Sequence, residues 1–156
     1  MRLLPALVVC FLPSTLWAGD DQETSPPNPA VAVANQVLTQ AGLPRLPTEF
    51  EEMQCYAWSG LSAGIYAFFE LKKEAFEGYL SPYLSGMERI TPIPRRLLSP
   101  PNAAAPWFNP GSIGGGTVFF RGRINRAAPE IFRLYVDAEN HKIFLYYTWN
   151  NKRTYP

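Results

Sequence analysis

Seven prolines fall between Pro82 and Pro110, a stretch of twenty-nine residues. Each proline lacks a backbone donor and fixes its own φ, so neither a helix interior nor a central strand tolerates that density. The middle of the chain must therefore be extended and irregular. It is not a disordered linker, because Ile90, Ile93, Leu97, Leu98, Trp107 and Phe108 are apolar groups that a solvated spacer would lack. The expectation is a long loop packed across the rest of the domain.

The clearest regular structure follows this segment. Residues 117–124, 131–137 and 142–149 read as strands, with residues 138–141 as a four-residue hairpin loop. Pairing Asp137 with Lys142 sets Val136 opposite Ile143, Leu134 opposite Leu145 and Phe132 opposite Tyr147 on one face. The other face then pairs Tyr135 with Phe144 and Arg133 with Tyr146. An apolar set and an amphipathic set separate, as a correct register requires.

Before the prolines the pattern is mixed. Asn28 suits a helix N-cap, Pro29 the first helical position and Gly42 the position past the end. Val33, Val37, Leu38 and Ala41 lie on one face of that helix. Residues 50–58 and 64–71 read as strands around Ser59-Gly60. The competing reading is a helix over residues 61–80, which would place Lys72 and Lys73 on the stripe of Ile65, Phe68, Phe69 and Phe76. Strand followed by a short helix over 72–80 avoids that conflict. The fold class expected is α+β: a small antiparallel sheet with one or two helices and the proline-rich loop over it.

Arg2, an apolar run over residues 3–16 and the small residue Ala18 have the order of a secretory signal peptide. A membrane span needs about 20 apolar residues, and this run is shorter and carries Pro5 and Pro13. Cys10 sits mid-run behind Val8-Val9, which is not the setting of a lipidated cysteine. The organisation expected is a signal peptide over 1–18, a flexible acidic leader over 19–28 and one α+β domain over 29–156. Processing removes one of 14 basic residues, leaving 13 against 13 acidic ones, a net charge of zero. That balance points away from nucleic acid, and no membrane span is expected after processing. Only Cys55 of the two cysteines remains, so no intramolecular disulfide forms, and its neighbours Met53 and Tyr56 suggest burial. With no Asn-x-Ser/Thr sequon, the chain leans towards a bacterial envelope, periplasmic or secreted. In layout it resembles small exported bacterial proteins that end in a Tyr-rich hairpin.

Several patterns invite chemistry. Residues 60–64 read Gly-Leu-Ser-Ala-Gly, the form of a nucleophile elbow, and Asp137 and His141 follow in α/β-hydrolase order. That elbow needs a strand, a strained turn and a helix in a parallel sheet, and this chain has no room for such a series. A small serine hydrolase using Ser62 therefore stands well behind the other readings. His141 is the sole histidine, so no histidine cluster for zinc exists. Asp137, Glu139 and Asn140 lack the glycine and distal glutamate of an EF-hand, and read as turn chemistry. The glycine-rich residues 111–116 lack the Lys-Ser/Thr of a phosphate-binding loop and lead into a strand. Glu49, Glu51 and Glu52 read as an exposed acidic edge rather than glycosidase carboxylates. No cofactor, metal ligand or catalytic residue is assigned.

What remains is a binding surface. Phe119, Arg121 and Arg123 alternate on one face of the first C-terminal strand, and Arg133, Tyr135, Phe144 and Tyr146 share one face of the hairpin. Strands in phase would present these Arg and aromatic side chains together, and such residues dominate interface hot spots. Two outcomes stay open: an exposed face, or one covered by the helices or the loop with the Arg heads reaching water. The functional expectation is a non-catalytic exported binding protein of the envelope, an inhibitor or immunity-type partner of another exported protein. A cell-wall glycan-binding module is the alternative.

Overall fold

The computed structural model describes residues 28–60, 62–99, 102–121 and 130–150. The proposed signal peptide, all of the leader except Asn28, and Arg123 lie outside the described residues. Among the described residues two helices and a six-stranded antiparallel sheet make an α+β fold, as expected.

Helix α1, Pro29–Gln40, begins where the sequence signals place it. The Asn28 side chain accepts a hydrogen bond from the Ala30 amide at 3.0 Å, Pro29 occupies the first turn, and Gly42 takes φ of +66° beyond the C-cap. Its buried stripe is Ala30, Ala34, Val37 and Leu38, with Val33 and Ala41 packed at the margin. The Asn35 side chain accepts from the Leu46 amide at 2.8 Å, which turns the chain back along the helix.

Strands β1 (Glu52–Trp58) and β2 (Ser62–Glu70) form the hairpin read around residues 59 and 60. Helix α2 spans Lys73–Leu84, four residues beyond the expected end and through Pro82. The extension fits Tyr83, which is fully buried and stacks on Phe132 with ring centroids 5.8 Å apart. Burying a tyrosine offsets the hydrogen bond that Pro82 removes near the helix end. A short strand β3 (Glu88–Ile90), unmarked in the sequence reading, pairs with β4 (Thr117–Arg121) before Pro92 stops the ladder.

Strands β5 (Glu130–Asp137) and β6 (Lys142–Asn150) pair in the expected register, from Asp137 opposite Lys142 to Phe132 opposite Tyr147. The sheet order is β1-β2-β6-β5-β4-β3, so the C-terminal strand lies in the middle. A central position explains why β6 reads as near-continuous apolar residues.

The two sheet faces are covered by different material. The helices close one face over Ile65, Phe69, Leu134, Ile143 and Leu145. The proline-rich segment closes the other, placing Leu97, Ala105, Phe108 and Ile113 on Val118, Phe120, Tyr135, Phe144 and Tyr146. The result is three layers, with the loop replacing the helices of a conventional second cover.

Candidate functional site

Four of the proposed binding residues form a hairpin face that the loop covers. Tyr135 is 0%, Phe144 6% and Tyr146 8% exposed. Phe108 stands edge-on to Tyr66, Tyr135 and Phe144, so one loop ring fills the space between three strands. The polar ends of the face hold that loop. Arg133 donates to the Leu97 carbonyl at 2.8 Å, and the Tyr135 hydroxyl donates to the same oxygen at 2.6 Å. Ser99 is hydrogen-bonded to that hydroxyl. Burial raises the Tyr135 hydroxyl pKa, against the pull of Ser99 and the Arg133 charge. The Tyr146 hydroxyl is pushed up to about 12, first by burial.

Arg121 does not join this group. Phe119 pairs with Leu134 and Arg121 with Phe132, so both belong to the helix-facing side. There Arg121 forms an ion pair with Glu130 and donates to the Ala41 carbonyl, at 2.8 Å, at the C-terminal end of α1. A cation suits that end of the helix dipole. The strands are thus out of phase for the combined Arg–aromatic patch: Val118 and Phe120, rather than Phe119 and Arg121, share a face with Tyr135 and Arg133.

The Ser-Asp-His pattern is dispersed. Ser62 pairs with Asn150 at one end of the β2–β6 ladder, and Glu70 pairs with Lys142 at the other. His141 accepts the Leu71 amide through its carbonyl at that far end. At about 3.4 Å per residue, the nine residues of strand between them separate Ser62 from His141 by about 31 Å. Asp137 serves its own turn, its carboxylate accepting from the Glu139 and Asn140 amides and the Asn140 side chain. Partial burial opposes ionisation, yet these bonds and Lys142 together hold its pKa below the usual value. A polar cavity of about 350 Å³ lies between this turn and the glycine-rich residues 114–116. Among the described residues no three His, Cys, Asp or Glu side chains are placed to hold a metal ion. Cys55 is free and buried, and desolvation pushes its thiol pKa up to about 12, which leaves it protonated and unreactive.

The loop-facing side of β1 and β2 keeps partly exposed aromatic rings. Tyr56, Trp58 and Phe68 are half-buried there and pack against the loop-side core. Trp58 is opposite Gly64 in the ladder, and its ring lies over that glycine. A Cβ at position 64 would come within 2.0 Å of ring carbons Cη2 and Cζ2, so only glycine admits the indole. Tyr56 lies 5.6 Å from Trp58 between centroids, and Tyr66 stacks with it at 6.2 Å and 26°. Gln54, Tyr56 and Trp58 share this side of β1 by alternation.

Sequence reasoning passed over this aromatic margin. Its signal was present in Tyr56 and Trp58 at alternate positions facing a hairpin partner with glycine at 64. No helix of the described residues is long and apolar enough to cross a membrane. No protein family, curated protein or solved structure matches the chain.

Proposed function

We propose that this chain is a non-catalytic binding protein exported to the cell envelope, an inhibitor or immunity-type partner that holds another exported protein on its aromatic margin. One observation carries the reading: Trp58 packs over Gly64 and stays half-buried beside Tyr56, on the loop-facing side of the β1–β2 hairpin. Aromatic rings held this way lose little conformational freedom on contact, and Trp and Tyr are the residues most often found as hot spots. The same ring would also stack against the C–H face of a neutral sugar, which is the competing reading.

The test is capture from an envelope extract by immobilised residues 19–156. The protein recovered should be identified by mass spectrometry, purified and titrated against the native chain and Trp58→Ala. A loss of about 2 kcal/mol or more in the variant is expected, with its fold intact by circular dichroism. Equal affinity for both chains, or competition by soluble peptidoglycan fragments alone, would overturn the reading. For export itself, the envelope form should begin at Gly19 or within a few residues of it. An intact Met1 on a functional cytosolic form would contradict that.

A further inference from the structure

Among the described residues the sheet has two edges without a further strand, and the one beside the aromatic margin is the longer. Strand order leaves β1 and β3 with one neighbour each, and β3 is only three residues against seven in β1. An edge strand presents unpaired backbone N–H and C=O groups that accept a further strand. Proteins commonly block such an edge with proline or lysine. The β1 sequence Glu-Met-Gln-Cys-Tyr-Ala-Trp has neither.

What β1 carries is negative charge. Glu49, Glu51 and Glu52 are exposed at its start, and no Lys or Arg occurs from residue 49 to residue 58. The ion pairs among the described residues are Arg121 with Glu130 and Lys142 with Glu70, so Glu51 and Glu52 have no cationic partner there. On the loop side, alternation lines up Glu52, Gln54, Tyr56 and Trp58 over about 20 Å. The Gln54 side chain donates to the Glu52 carboxylate at 3.0 Å, which fixes the polar end of the line. At the other end are ring faces, and the face of an aromatic ring is the negative pole of its quadrupole. Both ends therefore attract cations, one by ion pairing and one by cation–π contact.

Resting on the reading that this margin holds another exported protein, we infer that the partner docks as an extended basic segment, added as a seventh strand on β1. Backbone hydrogen bonds supply affinity and alternate side chains supply selectivity. Lysine or arginine near one end of the segment faces Glu51 and Glu52, and another lies on Trp58 and Tyr56. A second copy of β1 is a poor occupant, because it brings no cation.

The test uses a display library of short random peptides panned against immobilised residues 19–156. Selected sequences should be extended, with Lys or Arg at alternate positions. Their affinity should fall about tenfold or more in a Glu51→Lys/Glu52→Lys variant, and fall again with added salt. Methylating alternate backbone nitrogens of the peptide should abolish binding, and amides of residues 52–58 should gain hydrogen-exchange protection in the complex. Both glutamates are exposed, so the variant should melt like the native chain. An empty selection, acidic or uncharged sequences, indifference to charge reversal, or tolerance of backbone methylation would each overturn strand addition. If these fail while Trp58→Ala still releases the captured protein, strand addition is wrong and the binding reading stands. If both fail, both fall.

Discussion

Tyr146 and Leu134 point to opposite faces of the sheet, and both are enclosed, at 8% and 0% exposure. For Leu134 the helices provide the enclosure. For Tyr146 it comes from the loop and from Tyr66, whose ring lies 5.1 Å away, with the Arg133 guanidinium over its face at 6.0 Å. Replacing either by alanine removes buried area and leaves a cavity. Tyr146→Ala should cost about 3–5 kcal/mol and Leu134→Ala about 2–5 kcal/mol in denaturant melts. A Tyr146→Ala protein as stable as the native one would mean that the loop does not hold this face in solution. Arg133 and Tyr135 have side-chain types enriched at interfaces, yet their polar ends are satisfied internally at the Leu97 carbonyl. Residue type alone does not distinguish the two uses. The deciding fact is whether a backbone acceptor lies within reach, and here one does.

Among the elements, the proline-rich segment performs the work of a second helical layer without regular hydrogen bonding. It is held by a few fixed points, including the two short turns Arg95–Leu97 and Pro110–Ser112, which present Leu97 and Pro110 to the core. Gly116 lies tight against the sheet where the segment enters β4. An added Cβ there would lie 2.2 Å from Ile113 Cγ2 and 2.8 Å from the Val136 backbone oxygen, and the backbone cannot yield. Gly116→Ala should therefore destabilise by about 1–3 kcal/mol, the usual range for overpacking. Gly114→Ala, with nothing within 4 Å of its Cβ, should be close to neutral. Thermal melts of the pair measure the difference, and equal behaviour would rule out close docking of the segment. Proline density announced an irregular, packed element, but it could not say which sheet face the element covers. That choice depends on which surface the helices occupy, and no local pattern carries it.

At the level of the whole molecule, burying so many tyrosines makes the fold sensitive to alkali. Tyr83 and Tyr146 have pKa values pushed up to about 12 from 10.0, and Cys55 to about 12 from 9.0, in each case first by burial. In the unfolded chain these groups release their protons at the lower values. Stability is therefore complete below about pH 9 and falls as pH rises from there through 12, as the unfolded state binds fewer protons. The loss should be on the order of several kcal/mol by pH 12, with Tyr146 contributing least for its depth because part of it meets water. Urea midpoints measured at pH 8, 10 and 11.5 should decline in that order. A flat profile would place the three groups in contact with solvent.

The division between local and global information runs through particular residues. The chain by itself determined the α+β class, the α1 boundaries and the 137–142 register, because caps, turn residues and period-two alternation act over a few neighbours. It also suggested strands for residues 64–71, since a helix would have placed two lysines on an apolar stripe. Tertiary structure alone decided that β6 lies between β2 and β5, that Phe119 and Arg121 are out of phase with Arg133 and Tyr135, and that the loop covers the hairpin face. It also decided that Trp58 rests on Gly64. Each of these depends on the register between strands distant in sequence, where a shift of one residue exchanges the two faces. That register is settled by the summed packing of both layers on the sheet, a quantity that no stretch of neighbouring residues contains.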